Sequence, residues 1–325
     1  MNLSNNLFDI LIIGAGPAGI ATAIEAKQAG LNYLLIDKGS VAHSIQQFQR
    51  DMFFFSTPEL LSLGDVPFIV STTRPTSLDC VNYYRGIVEY FKLKSEFHQE
   101  IESVTKDNTI FNVQSTKGKV FQAKAVVIAT GYYDTPTPLG VPGENLPHVT
   151  HFYRDSLPYY RQNIVIVGGK NSAVEAALDL YRHGANVTLI HRDETLTAGV
   201  KYWILPDFEN RVKEGSIKVH YNTAVSEFQV GKTLVKSNDG TLTEIPTDSV
   251  FILIGYLPDV QFLKSVGIQI EEDSLVPTHN PETFETNVPN LFIAGGLVGG
   301  RFNNRVFIEN GRQHGKKIID TLLQK

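Results

Sequence analysis

The sequence predicts an α/β protein built from two Rossmann-like dinucleotide-binding domains, the second inserted in the first. Two observations predict it. An apolar run closed by Gly14-Ala15-Gly16-Pro17-Ala18-Gly19 opens a helical pattern, and the same strand, glycine turn, helix, strand order returns at Gly168. Apolar runs ending in glycine also recur at 125–131, 250–255 and 291–296, as buried parallel strands do.

Taken in order, Phe8–Ile13 reads as a central strand, Gly14–Gly19 as a tight turn, and Pro17–Gln28 as a helix stopped by Gly30. Tyr33–Ile36 completes a βαβ unit with a right-handed crossover. Phe97–Val104, Ile110–Gln114 and Val120–Phe121 read as a small antiparallel insertion, and Ala125–Ala129 as a parallel strand closed by Thr130-Gly131. Tyr132–Pro147 holds Pro136, Pro138, Pro142 and Pro147 with little periodicity, so it reads as a connection between domains. The second unit follows: strand Ile164–Val167, turn Gly168–Ser172, helix Ala173–Arg182 ending at Gly184, strand Val187–Ile190. Val250–Gly255 is a strand closed by glycine, and Leu257-Pro258 marks the return crossing. Leu291–Ala294 precedes Gly295-Gly296, and Val306–Leu323 reads as a closing helix weakened by Gly311 and Gly315. Residues 1–133 and 257–325 therefore form one expected domain and 134–256 the other.

The chemistry lies in the turns. Gly14 permits a tight turn, Gly16 lets backbone approach a pyrophosphate, and Gly19 allows close helix–strand packing. The helix N-terminus offers free N–H groups to phosphate. Asp37, next to Lys38, ends the second strand where a carboxylate can accept from a ribose diol. In the second turn, Gly168-Gly169-Lys170-Asn171-Ser172-Ala173, the middle glycine is replaced by Lys170, which either faces solvent or turns to the phosphate. The place equivalent to Asp37 holds His191, followed by Arg192. Without an acid there, Arg192 can take a 2′-phosphate, which favours NADP over NAD; the alternative is a solvated strand-end arginine. Lys201 is a second candidate for that phosphate.

Composition excludes other classes. There are 29 basic and 34 acidic residues, net −5, and no basic block, which argues against a nucleic-acid partner. The longest apolar runs are too short to cross a bilayer, and MNLSNNLFD carries no basic region before an apolar stretch, so a cytoplasmic protein is expected. The one cysteine, Cys80, rules out an internal disulfide, a CxxC pair and a cysteine-based zinc site. Cys80 is either a small core residue or a thiol that attacks substrate, and the latter requires a lowered pKa. No metal-ligand spacing such as HExxH occurs among the histidines.

The order GAGPAG…LLID, AVVIATG, IVIVGGKNSAVEAA…HR, NLFIAGG resembles the two-dinucleotide flavoproteins of the thioredoxin-reductase-like type. FFSTPELLSLGDVPF, NYYRGIVEYF, ATGYYDTPTPLGVPGENLPHV, VKYWILPDFENRVKEGSIK, NPETFETNVPNLFIAG and FIENGRQHG resemble one branch of that family, the bacillithiol-disulfide reductase (YpdA-type) proteins, across almost the whole chain. The resemblance implies FAD at the first turn and NADPH at the second. It implies that Thr130, Gly131, Gly295, Gly296, Arg305 and Ile308 lie about the flavin, with Arg305 either inward or solvated, and that Gly255 lines the NADPH site. By the same resemblance Phe54–Thr57 and Tyr132 wall the flavin ring. The N-terminus of the last helix, near Val306–Asn310, is expected to stabilise the negative charge of the reduced flavin through its dipole. His314 is either a proton donor or a structural histidine.

Three departures qualify the resemblance. HFYRDSLPYYRQN stands where thioredoxin reductases carry CxxC, Gly296 stands where most relatives have aspartate, and Ala18 stands where some close relatives have cysteine. The expected activity is NADPH-dependent, FAD-mediated reduction of a small disulfide without an internal dithiol. The alternatives are a ferredoxin–NADP reductase, with ferredoxin as partner, and a non-catalytic flavin redox sensor. A homodimer is implied by the resemblance.

Overall fold

The structure is a computed structural model that describes residues 7–196, 199–302 and 305–325. The first six residues of the domain expected at 1–133 thus lie outside the described residues. The chain divides into two compact units, one of residues 1–46, 53–135 and 256–325, the other of residues 47–52 and 136–255.

The first unit is a seven-stranded sheet. Leu7–Ile13 lies at its centre, parallel to Tyr33–Ile36 on one side and Val120–Ile128 on the other. Ser95–Glu96 extends the sheet beyond Tyr33–Ile36. Val120–Ile128 is one continuous strand where the sequence suggested two. Its first half pairs antiparallel with Ile110–Ser115 and exposes Val120, Gln122 and Lys124 in alternation. Its second half is wholly buried and parallel to Leu291–Ile293. The change from alternating to continuous burial follows from the second half having neighbours on both faces. The strand expected at 97–104 is instead Ser95–Glu96 and Ile101–Asp107, separated at His98, whose φ of 57° interrupts an extended chain.

The helix Pro17–Gln28 starts with proline at its first turn and buries Ile20, Ala21, Ala23, Ile24 and Ala26. It packs against His314–Leu323, and a Cβ on Gly315 would lie 2.6 Å from Thr22 Cα, so only glycine allows this approach. The single closing helix expected over 306–323 is two pieces, Ile308–Gly311 and His314–Leu323. Ser77–Tyr90 begins with a capping box, Thr76 Oγ1 accepting from Asp79 N–H and the Asp79 carboxylate accepting from Thr76 N–H. Cys80, Tyr84, Ile87 and Val88 share its buried face.

The second unit has a five-stranded parallel sheet ordered Ile217–His220, Asn186–Ile190, Asn163–Val167, Ser249–Ile252, Val149–Thr150. Successive residues of Asn163–Val167 feed opposite faces. Ile164 and Ile166 join the core under the helix Asn171–Arg182. Val165 and Val167 join Phe228, Val235 and Ile245 of a three-stranded antiparallel sheet, Thr223–Gln229, Lys232–Ser237 and Leu242–Pro246, which the sequence reading did not identify. Among the described residues no helix is long and apolar enough to cross a membrane, and no three His, Cys, Asp or Glu side chains cluster to hold a metal.

Candidate functional site: two glycine turns

The first turn joins Leu7–Ile13 to the helix Pro17–Gln28. Gly14 has φ +108°, and a Cβ there would lie 2.4 Å from the Ala129 carbonyl oxygen and 3.0 Å from Thr130 N. On Gly19 it would lie 1.8 Å from the Gly14 oxygen. On Gly16 it would meet nothing within 4 Å. Two glycines thus press backbone on backbone, and the third faces open space before the unpaired N–H groups that begin the helix. That is a cradle fitted to a pyrophosphate.

Asp37 reaches this turn. Its carboxylate accepts from Ala15 N–H and from Gly39 N–H, both at 2.7 Å. Burial pushes its pKa up, and these two N–H groups oppose the shift. Each oxygen keeps a second lone pair for a ribose hydroxyl. Lys38 pairs with Asp134 at 3.0 Å. Gly131, φ +73°, opens onto free space. Gly295, φ +77°, lies against Ala18, whose Cβ would be 2.8 Å from an added Cβ. At Gly296 an added Cβ would lie 2.4 Å from Tyr132 Cε1, so the Tyr132 ring fills the place a longer residue would need. Gly14, Ala18, Thr130, Tyr132, Gly295 and Gly296 therefore adjoin one another.

The second turn repeats the design in its own unit. Gly168, φ +152°, would put a Cβ 2.5 Å from the Leu253 oxygen and 2.9 Å from Ala173 Cβ. At Gly169 the His191 ring occupies the space, Cε1 being 2.2 Å from an added Cβ. Lys170 is exposed at the helix N-cap, its stem 3.3 Å from an added Cβ on Gly199. Asn171 Oδ1 accepts from Lys201 N–H at 2.6 Å. Lys201 Nζ donates to Glu175 Oε1 at 2.7 Å, the side chains 5% and 11% exposed. These contacts hold the two ends of the segment 191–201 on the turn. Arg192 is 85% exposed, its Nε 3.8 Å from Asp193 Oδ2. Gly255, φ +104°, adjoins open space.

Residues 11–295 match the family described as pyridine nucleotide-disulphide oxidoreductase. The chain is 40% identical over 316 residues to the Bacilliredoxin reductase Bdr of Bacillus subtilis (strain 168), covering 97% of both. The solved Bacillithiol Disulfide Reductase Bdr (YpdA) from Staphylococcus aureus is 41% identical, with TM-score 0.94, over 97% of this chain and 98% of that one. A Ferredoxin--NADP reductase of Ignicoccus hospitalis is 25% identical over 89% of this chain and 90% of its own.

The chain belongs to the pyridine nucleotide-disulphide oxidoreductases.

It is an FAD- and NAD(P)H-dependent oxidoreductase of the Bdr and thioredoxin-reductase type, and it lacks the cysteine pair. In this pyridine nucleotide-disulphide oxidoreductase two readings from sequence need correction, and the structure chooses between the alternatives left open at two other residues. Lys201 is committed to Glu175 inside the second unit, so its ammonium is not presented to a 2′-phosphate. Arg305 is exposed, its guanidinium over the Phe302 ring at 4.4 Å, rather than turned inward. The helix beginning at Ile308 is four residues long, too short for the dipole expected of a long closing helix. His314 is no proton donor at neutral pH. Its Nδ1 accepts from Gly295 N–H at 3.2 Å, and its ring stacks on Phe284 at 3.9 Å. Burial, with Lys317 and His279, lowers its pKa to about 4.

That shift makes a prediction. The unfolded chain protonates His314 near its ordinary value of 6.5, the folded chain only near about 4. Protons are therefore taken up on unfolding between these values, and stability rises with pH across that window, by about 3 kcal/mol from this residue. Denaturant midpoints should fall as pH drops from about 6.5 to about 4, and His314→Asn should flatten the dependence. An unchanged slope in the variant would remove this assignment.

Asp193 and Glu175 escaped the sequence reading. The second could have been found as an acid one helical turn beyond Asn171, on the same face.

Proposed function

We propose that FAD occupies the first turn and NADPH the second, and that the electron acceptor is a low-molecular-weight disulfide. The observation that carries the reading is the pair of built turns, one ending in buried Asp37 and the other in exposed Arg192. The acceptor class follows the two solved relatives, each a Bacillithiol Disulfide Reductase. Gly14, Gly16, Pro17, Ala18 and Gly19 would hold one pyrophosphate and Asp37 its ribose. Thr130, Gly131, Tyr132, Gly295, Gly296 and Ile308 would surround the ring. Gly168, Gly169, Lys170, Asn171, Ser172, Ala173 and Gly255 would hold the second cofactor, with His191 and Arg192 at its adenosine ribose. When bound, the cofactors supply the chemistry, a hydride from the nicotinamide and two-electron exchange at the flavin. The chain holds and orients them. His314 fixes the Gly295 backbone without exchanging a proton. The substrate S–S bond would break as the two electrons and one proton of the hydride, with a second proton from water, yield two thiols.

No protein thiol takes part in this scheme. Cys80 is fully buried, and burial with Asp79 pushes its thiol far above the usual range. Cys80→Ala is expected to leave disulfide turnover within about twofold of wild type, since a buried thiol without thiolate character is inert. Loss of turnover with normal flavin reduction would give Cys80 a role.

A ferredoxin acceptor is the second reading, favoured by the absence of a dithiol and by the Ignicoccus relative. An anaerobic screen separates the two. Reduced protein should be reoxidised by a small disulfide with release of thiol. No reoxidation by disulfides, with rapid salt-sensitive reoxidation by ferredoxin, selects the second. Reoxidation by oxygen alone selects a sensor. A cytoplasmic homodimer completes the proposal, and light scattering on the purified protein tests the dimer.

A further inference from the structure

We propose that Asp193 is a specificity-determining residue that weakens the preference for NADPH over NADH, by competing with the ribose 2′-phosphate for Arg192. The inference rests on the reading of the second turn as the NADPH site.

The two turns differ in where they put their acid. In the first, Asp37 stands at the strand end, buried, with both oxygens on backbone N–H groups. It cannot leave, and it favours a free ribose diol. In the second, the equivalent residue is His191, whose ring is packed over Gly169. The carboxylate appears two residues later, as Asp193, half exposed at 52%. Its Oδ2 is 3.5 Å from His191 Nε2 and 3.8 Å from Arg192 Nε.

The backbone around this carboxylate is fixed. His191 N–H donates to the His220 carbonyl at 2.9 Å, Thr223 N–H to the His191 carbonyl at 3.1 Å, and Asn222 N–H to the Asp193 carbonyl at 3.1 Å. These bonds hold the Asp193 backbone in place, so its carboxylate stays within reach of the Arg192 guanidinium. A dianionic phosphate arriving at Arg192 must displace it or share the guanidinium with it. The other nearby cations do not relieve this conflict. Lys201 is neutralised by Glu175, and Lys170 at the helix N-cap is exposed. The site thus presents an arginine suited to a phosphate beside an acid suited to hydroxyls, and the geometry predicts modest discrimination between the two cofactors.

The test is calorimetric titration of the oxidised holoenzyme with NADP+ and with NAD+, which reads binding without turnover. Asp193→Asn removes the charge and keeps the shape. It should tighten NADP+ about three- to fivefold, the scale of an exposed ion pair, and leave NAD+ unchanged or weaker. In an Arg192→Ala background the same substitution should have no more than a marginal effect on NADP+, because the partner for which it competes is gone. Equal tightening of both nucleotides, or unchanged NADP+ affinity, overturns the inference. The Arg192→Ala variant alone separates the two failures. If it leaves NADP+ and NAD+ binding in their wild-type ratio, the reading of the second turn is wrong. If it lowers that ratio while Asp193→Asn does nothing, only the role of Asp193 is wrong. A gain in affinity cannot come from misfolding, so the expected outcome is not confounded by loss of structure.

Discussion

Gly16→Val is expected to give a folded protein that purifies without flavin. The substitution separates ligand space from chain packing. Gly16 has φ −76° and ψ 178°, which any residue adopts, and an added Cβ meets no protein atom within 4 Å. Nothing in the chain opposes a Cβ at this position. It would stand instead where the pyrophosphate must approach the helix N-terminus. Bound FAD should fall at least about tenfold, since displacing a charged ligand group by an ångström or more forfeits several hydrogen bonds. Circular dichroism should remain that of the flavin-free wild type. Gly19→Ala is the contrasting control. Its Cβ would sit 1.8 Å from the Gly14 oxygen, backbone against backbone, so the helix must leave the strand and folding suffers too. A yellow Gly16→Val protein with a full complement of FAD would show that the first turn is not the flavin site.

Gly168→Ala is expected to do the opposite, giving a yellow protein that NADPH no longer bleaches. Gly168 combines φ +152°, a conformation that L side chains rarely adopt, with 2.5 Å to the Leu253 oxygen. Relieving that contact displaces the turn or the start of Asn171–Arg182, and the phosphate N–H groups move with it. The first turn lies in the other compact unit, so flavin content should be near wild type. Anaerobic reduction by NADPH should slow about a hundredfold or more, the loss produced by small displacements of bound reactants. Chemical reduction by dithionite should be unaffected. Bleaching by NADPH at the wild-type rate would remove the second turn from the account.

Local sequence carried the parts of this fold that depend on local rules. The βαβ units at 7–36 and 163–190 were legible because their strands are continuous apolar runs and their glycines fall where backbones touch. Asp37 was legible from its spacing, but its bonds to Ala15 and Gly39 were not, since they depend on how the strand end meets the turn. Lys201 shows the limit most clearly. A basic residue after a strand-end arginine suggests a phosphate contact, whereas burial against Glu175, 26 positions away, pairs it instead. The contact of Tyr132 with Gly296 was equally hidden, because it joins segments that only the sheet brings together. The strand Thr223–Gln229 was missed where a bulge between Val225 and Glu227 breaks the alternation that identifies a strand.

An anaerobic titration of wild-type holoenzyme with NADPH tests most directly the claim that electrons stop at the flavin and reach no protein thiol. With Cys80 alone and buried, reduction should end at about one NADPH per bound FAD, with no additional reactive thiol on the protein. An end point near about two, or a colourless protein that takes up no FAD, would contradict it.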